Sequence, residues 1–256
     1  MFHVKPKSKA KTPTKRKPSK PTTRKKVLTP DQIAAAVRAQ LAPAIAPLGV
    51  VSNTGQFLNR IERMAAMLAV WGPKINLTAH PQDPDEIVFH VFDSIIPISI
   101  AVSAKILRLG RTHRFLDIGS GAGFPGLVIA AAINASVTLV EARRKRATYL
   151  IEAAIEMGLQ NVRVECARAE SFDVRDGYDV VTSRAVGNPA ALFEIAGRAL
   201  RVEGVLMLYV TADQEFDQAT QAAANEAGLF DGIRSVYDLR HGRDVFNRAA
   251  ATWVRR

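Results

Sequence analysis

The sequence predicts an α/β chain, a doubly wound parallel sheet preceded by an N-terminal helical extension. Three observations predict it. From Phe115 onward short apolar segments alternate with helical stretches, a glycine-rich turn follows the first of those segments, and residues 28 to about 105 show helical periodicity only. Strand–helix alternation of this kind builds a parallel sheet covered by helices on both faces. A hydrophobic content of 48% over 256 residues is enough for a real core.

Residues 1–27 read as a disordered basic tail. The first 26 residues contain nine Lys, two Arg and four Pro, and the first acidic residue is Asp31. Setting aside those 11 cations leaves 24 basic residues against 24 acidic ones, so the net charge of +11 sits wholly in the tail. A segment of one charge sign with almost no apolar residues cannot bury enough surface to fold alone. Such tails bind polyanions through counterion release, nucleic acid being the commonest partner. A solubility tail or an organelle-targeting segment are the other readings; the Lys/Pro character counts against targeting.

Residues 28–105 form the helical segment. Thr29 suits an N-cap and Pro30 the first helical position, while Pro43 and Pro47 limit that helix. Phe57, Leu58, Ile61, Met64, Leu68 and Trp71 recur at helical spacing. A third helix begins near Asp83, with Pro84 next and Asp85 and Glu86 in its first turn, where carboxylates suit the dipole. Residues 106–256 form the sheet domain. Strands are expected at 115–118, 137–141, 162–166, 178–183 and 204–210, with helices near 125–133, 144–157 and 188–200. Two last β segments meet at a turn around His241-Gly242.

No run approaches the roughly eighteen uncharged apolar residues of a membrane helix, and the N-terminus has no apolar signal region. One cysteine, Cys166, excludes a disulfide framework and a cysteine-rich zinc site. The expectation is a cytoplasmic monomer without membrane contact or metal.

The stretch "LDIGSGAGFPG", residues 116–126, carries Gly121, Gly123 and Gly126 as a literal G-x-G-x-x-G. A strand entering such a turn and then a helix places a ligand at the carboxyl end of the sheet. Glu141, at the end of the next strand, is placed to accept the hydroxyls of a ribose. NAD enzymes use both features, and so do enzymes that bind S-adenosyl-L-methionine (SAM). Asp117 favours SAM, because a negative charge just before the turn would repel a pyrophosphate and attract a sulfonium.

"KINLTAH", "HVFDS", "LDIGSGAGFPG" and "SRAV", in that order along the chain, resemble the bacterial 16S rRNA guanine-N7 methyltransferase family, small-subunit methyltransferase G, also called glucose-inhibited division protein B. The likeness runs from about residue 50 to the end. It implies a Rossmann-like, SAM-dependent methyltransferase fold and methyl transfer to N7 of a guanine in the 530 loop of 16S rRNA, either free or in the 30S subunit. It further implies that Gly119, Gly121 and Phe124 contact SAM, that Glu141 takes the ribose, that Ala169 and Glu170 border the adenine, and that Arg184 lines the cofactor cleft. Departures from the family pattern are Gly72-Pro73 in "WGPKINLT" and Thr211-Ala212, where the family tends to carry a lysine-glycine pair.

The chemistry agrees with the residues. Transfer from a sulfonium is an in-line displacement that needs alignment, and guanine N7 has a free lone pair, so no general base is required. The sequence has neither an Asn/Asp-Pro-Pro-aromatic motif nor a Pro-Cys nucleophile. Cys166 reads as a small core residue. The run Arg143, Arg144, Lys145 and Arg146 opens a helix, where cations oppose the dipole; a nearby phosphate backbone and a solvated basic face are both open readings. His90 and Asp93 share a helix face and read mainly as a structural link between the helical segment and the sheet, although His90 approaching the base stays open. Asn76 reads as a turn former, Phe57 and Trp71 as core, and Arg240, His241 and Arg243 as contacts for RNA. Two other functions remain: a nicotinamide-dependent oxidoreductase, and a non-catalytic RNA-binding or assembly factor.

Overall fold

A computed structural model describes residues 27–110, 112–174, 177–184 and 189–256. The expectation of a disordered tail falls on residues outside the described ones.

Three helices open the chain. α1 (Pro30–Ile45) begins at a capping box in which the Thr29 hydroxyl accepts from the Gln32 N–H and the Gln32 side chain accepts from the Thr29 N–H. α2 (Thr54–Ile75) is capped by Asn53 and ends at Asn76, whose left-handed φ of 53° turns the chain. α3 (Pro84–Ser103) starts at Asp83, whose carboxylate accepts the Asp85 N–H. The starts of α1 and α3 fall where the sequence placed them, at Thr29 and Asp83; the Asn53 cap of α2 was not named from the sequence.

Then come β1 (Arg114–Ile118), α4 (Gly126–Ala132), β2 (Ser136–Val140), α5 (Arg144–Glu156), β3 (Val162–Glu165), β4 (Tyr178–Ser183), α6 (Pro189–Ala199), β5 (Leu200–Thr211), α7 (Gln218–Glu226), β6 (Leu229–His241) and β7 (Asp244–Arg255). The sheet runs β3-β2-β1-β4-β5-β7-β6. Its first five strands are parallel, as expected. The last two are not: β7 pairs antiparallel with β5 and with β6. Two residues join β6 to β7, and so short a link can only reverse the chain, since a parallel return needs a crossover of a dozen residues or more. α7 was not expected. Asp217 caps it, but only Ala224 is fully buried, so its sequence carries almost no apolar stripe.

Each face of the sheet has its own apolar core. On one, α1, α2 and α3 pack with α4 and α5 in a cluster that includes Ile33, Phe57, Met64, Val91, Leu127 and Tyr149. The helical segment is therefore a layer over the sheet. On the other face Phe193 of α6 and Ala224 of α7 pack with Leu116, Leu206 and Trp253.

Two sequence expectations need correction here. α3 is long and apolar enough to cross a membrane by length and composition, with a mean hydropathy of 1.6. Its apolar side chains Ile87, Val91, Ile95 and Ile98 are buried in the protein core instead. Cys166 is exposed. It follows β3, an edge strand, and an edge position leaves one side of the chain open.

Candidate functional site

Four stretches distant in sequence meet around one cavity of about 500 Å³ at the carboxyl end of the sheet. Leu77, Thr78 and Ala79 come from the turn after α2, Glu86, Phe89 and His90 from α3, Gly119 to Ala122 and Phe124 from the loop after β1, and Arg184 from the end of β4. Arg146 of α5 and His241 and Phe246 of the last hairpin complete the wall. That volume lies within the roughly 300–1,000 Å³ of small-molecule sites.

The loop after β1 is held open by its backbone. Gly119 has φ of +75°, and a Cβ built there would meet nothing within 4 Å, so the space before it is free for a ligand. Gly126 has the opposite surroundings. A Cβ there would fall 2.3 Å from Cδ2 of Leu139 and 2.6 Å from Oδ2 of Asp117, which is why the chain can tuck under β1 and start α4 only with glycine.

Asp117 corrects the electrostatic argument drawn from the sequence. Its carboxylate is 1% exposed and is absent from the cavity wall. It accepts the Gly126 N–H at 3.2 Å and the Thr182 hydroxyl at 2.9 Å, so it clamps the loop from below and presents no charge to a ligand. Burial pushes its carboxyl up to about 6 from 3.8, against the hydrogen bonds that lower it. A carboxyl raised on folding stabilises the folded state below its unfolded value and loses that contribution as pH rises through the folded value. The stability of the native protein relative to Asp117→Asn is therefore expected to fall by roughly 2–3 kcal/mol between about pH 4 and pH 7. Denaturant titrations of both proteins across that range check it, and a constant difference would refute it.

Glu141 closes the loop at its side. Oε2 accepts the Gly121 N–H at 3.0 Å and Oε1 the Arg143 N–H at 2.8 Å. Of the residues expected to hold a cofactor, Gly119, Gly121, Phe124 and Arg184 line the cavity. Glu141, Ala169 and Glu170 stand outside it, Glu141 after β2 and the other two in a short 3-10 turn after β3. The two groups are joined through the bond between Glu141 and Gly121.

α3 delivers a second set of charges. The Asp93 carboxylate is fully buried and accepts from Arg248 Nε and Nη2 at 3.0 and 3.1 Å, from the Tyr237 hydroxyl at 2.9 Å, and faces Arg184 Nε at 3.5 Å. This cluster ties α3 to β6 and β7, the structural role expected of "HVFDS". His90 has both ring nitrogens engaged. An arginine can only donate, so the 2.7 Å contact from Arg184 Nη2 makes Nδ1 an acceptor, which leaves Nε2–H facing Glu86 Oε1 at 3.5 Å. Burial lowers the His90 pKa, with the Arg184 charge acting in the same sense, and the ring is neutral. Glu86 is held at about 2, chiefly by the His90 hydrogen bond and also by the His80 N–H. The Arg184 guanidinium also lies 5.9 Å from the centre of the Phe124 ring.

Of the basic run at the start of α5, Arg143, Arg144 and Lys145 are exposed, whereas Arg146 folds back and donates to the Asn76 carbonyl at 2.8 Å. Sequence reasoning missed Glu86, Phe89 and Phe246. Glu86 had a signal, a carboxylate four residues before His90 on one helix face; the two phenylalanines had none. Ala185 to Asn188, the rest of "SRAV" and the start of "NPA", lie outside the described residues. Among the described residues there is no cluster of His, Cys, Asp and Glu able to hold a metal.

Comparison with known proteins adds three findings. A family profile described as "GidB: rRNA small subunit methyltransferase G" matches residues 57–234. Proteins named ribosomal RNA small subunit methyltransferase G are similar to the chain: that of Streptococcus pyogenes serotype M12 (strain MGAS2096) is 37% identical over 163 residues, covering 61% of this chain and 67% of its own. That of Geobacillus sp. (strain WCH70) is 31% identical over 179 residues, covering 67% and 73%. In three dimensions the chain resembles magnesium protoporphyrin IX methyltransferase (ChlM) from Synechocystis PCC 6803, solved with bound SAM. The TM-score is 0.54 at 12% identity, over 75% of this chain and 97% of that one, a likeness of fold alone.

Proposed function

This chain belongs to the rRNA small subunit methyltransferase G family, and from that premise we propose that it transfers a methyl group from SAM to a guanine N7 of 16S rRNA. One observation carries the assignment to this site. The four motifs that mark the family, which are separated by up to about a hundred residues, contribute adjoining walls of a single cavity beside the glycine loop.

The residues present suit the cofactor. The open backbone at Gly119 admits close approach, the Glu141 carboxylate beside the Gly121 N–H would take the ribose, and Ala169 and Glu170 follow the neighbouring strand. Bound there, SAM supplies an electrophilic methyl group on a sulfonium. Phe124 and Arg184 would flank that end of the ligand, and the aromatic residues around the cavity would exclude water from the transfer. No side chain is asked to remove a proton, because N7 is unprotonated in the neutral base. His90 fits this account: with both nitrogens engaged, it orients Arg184 and Glu86 and is not a base.

The substrate is small-subunit RNA, met in the cytoplasm by a monomer. The basic tail and the exposed Arg143, Arg144 and Lys145 would supply attraction to phosphate without sequence preference. The oxidoreductase reading finds no support in the family match. A non-catalytic factor would bind RNA without transferring methyl groups, and assaying methyl incorporation into rRNA from a strain lacking the gene decides between them. Glu141→Ala is expected to weaken S-adenosylhomocysteine binding about tenfold, the worth of a charge-assisted hydrogen bond. Calorimetric titration measures it, and an unchanged affinity would remove Glu141 from the ribose site.

A further inference from the structure

The cavity has two unlike walls. The glycine loop and Arg184 form one; the other is aromatic. Phe89 lies 5.5 Å from Phe246 and 6.1 Å from His241, ring centre to ring centre, and His241 lies 6.2 Å from Phe246. Phe246 is 44% exposed although it belongs to this cluster, so it offers ring surface at the rim of the cavity. Nε2 of His241 is buried without a hydrogen-bond partner among the described residues. On the same hairpin turn Arg240 and Arg243 are exposed.

We infer that this half of the cavity, built by the tip of the β6–β7 hairpin against α3, receives the target purine base, with Phe246 as the surface on which it stacks. The inference rests on the reading above, that the glycine-loop half holds the methyl donor. Three physical arguments carry it. First, the acceptor atom must come to about 3–3.5 Å from the transferred methyl, so the base has to enter the same cavity. Glu141, Ala169 and Glu170 lie outside that cavity, which leaves room in it beyond the methyl-bearing end of the donor.

Second, N7 of a paired guanine lies in the deep, narrow groove of A-form RNA, which side chains do not reach. The base must be unpaired and swung out, and a swung-out base needs an aromatic surface to replace its lost stacking. Third, cations flanking exposed rings are the arrangement that grips single-stranded nucleic acid, phosphate on the basic groups and base on the ring. The Asp93 cluster holds the hairpin in place for this task, since Tyr237 and Arg248 both come from it. Residues 241–246 lie beyond the part of the chain that the family profile matches. The hairpin side of this half therefore rests on the structure.

Phe246→Leu, which keeps apolar bulk and removes the aromatic face, tests the inference, with Phe246→Trp as the restoring variant. Methyl transfer to 30S subunits is followed with labelled SAM, S-adenosylhomocysteine affinity by calorimetry, and total RNA affinity by filter binding. Phe246→Leu is expected to lower kcat/KM for the RNA about tenfold or more, the size of one lost base–aromatic stack. The other two affinities are expected to stay within about twofold, because phosphate contacts dominate RNA affinity. Phe246→Trp is expected to restore transfer. Unchanged transfer by Phe246→Leu overturns the inference, and so does a parallel loss of S-adenosylhomocysteine affinity, which would place the ring in the donor half. A native protein that binds no S-adenosylhomocysteine would fail the functional proposal itself, a result separate from either.

Discussion

Asp93→Ala is expected to lower stability by about 3–5 kcal/mol, the usual consequence of removing one partner from a buried ion pair. The carboxylate, itself fully buried, accepts two hydrogen bonds from Arg248 and one from Tyr237 and faces Arg184. Without it, two guanidinium groups would face each other with no counter-charge, which is worse than a cavity of the same size. For a chain of this length the melting temperature should drop by roughly 6–20 °C. Asp93→Asn, which preserves the shape, should lose less. A loss below about 1 kcal/mol in Asp93→Ala would mean that the cluster behaves like an exposed pair and does not anchor α3 to the hairpin.

Gly126→Val is expected to weaken S-adenosylhomocysteine binding on the order of tenfold to a hundredfold while leaving the protein folded, because overpacking of about 1–3 kcal/mol would be relieved by displacing the loop. The first added carbon would overlap Leu139 on one side and the Asp117 oxygen on the other. Leu139 is fully buried on β2, which is paired on both sides, so the movable partner is the backbone from Gly119 to Pro125. Calorimetric titration beside circular dichroism separates loss of binding from loss of structure. Unaltered affinity would show that the loop tolerates the shift and that its position does not set cofactor binding.

Much of this architecture was legible in the sequence, and the reasons differ by element. Thr29 and Asp83 act within two or three residues of themselves, so capping chemistry located the starts of α1 and α3, and Asn76, read as a turn former, is where α2 ends. β1, β2 and β4 are largely buried and β5 is buried from Gly204 to Val210, so they stood out as short apolar runs, whereas β3 showed only alternation, with Arg163 exposed. α7 did not stand out, since its one fully buried residue is an alanine. Cys166 was misread because local sequence says nothing of which strand lies at a sheet's edge. Asp117 shows a further limit. Its neighbourhood in sequence put it beside the ligand, but its rotamer turns it down onto Gly126 and Thr182, and side-chain direction at a strand end is a matter of three-dimensional packing. Phe246 met Phe89 only through the hairpin, across more than 150 residues of chain, and no short-range pattern could have paired them.

Arg184 stands on the glycine-loop wall of the cavity and reaches the cluster that holds the hairpin. It touches His90, Phe124 and Asp93 at once, and Arg248 competes with it for the same carboxylate. Whatever draws this side chain toward the donor changes how firmly the hairpin is held for the acceptor. On the proposed division of the cavity, loading of donor and acceptor would be linked thermodynamically, and the factor by which one alters the affinity of the other would be the same in both directions.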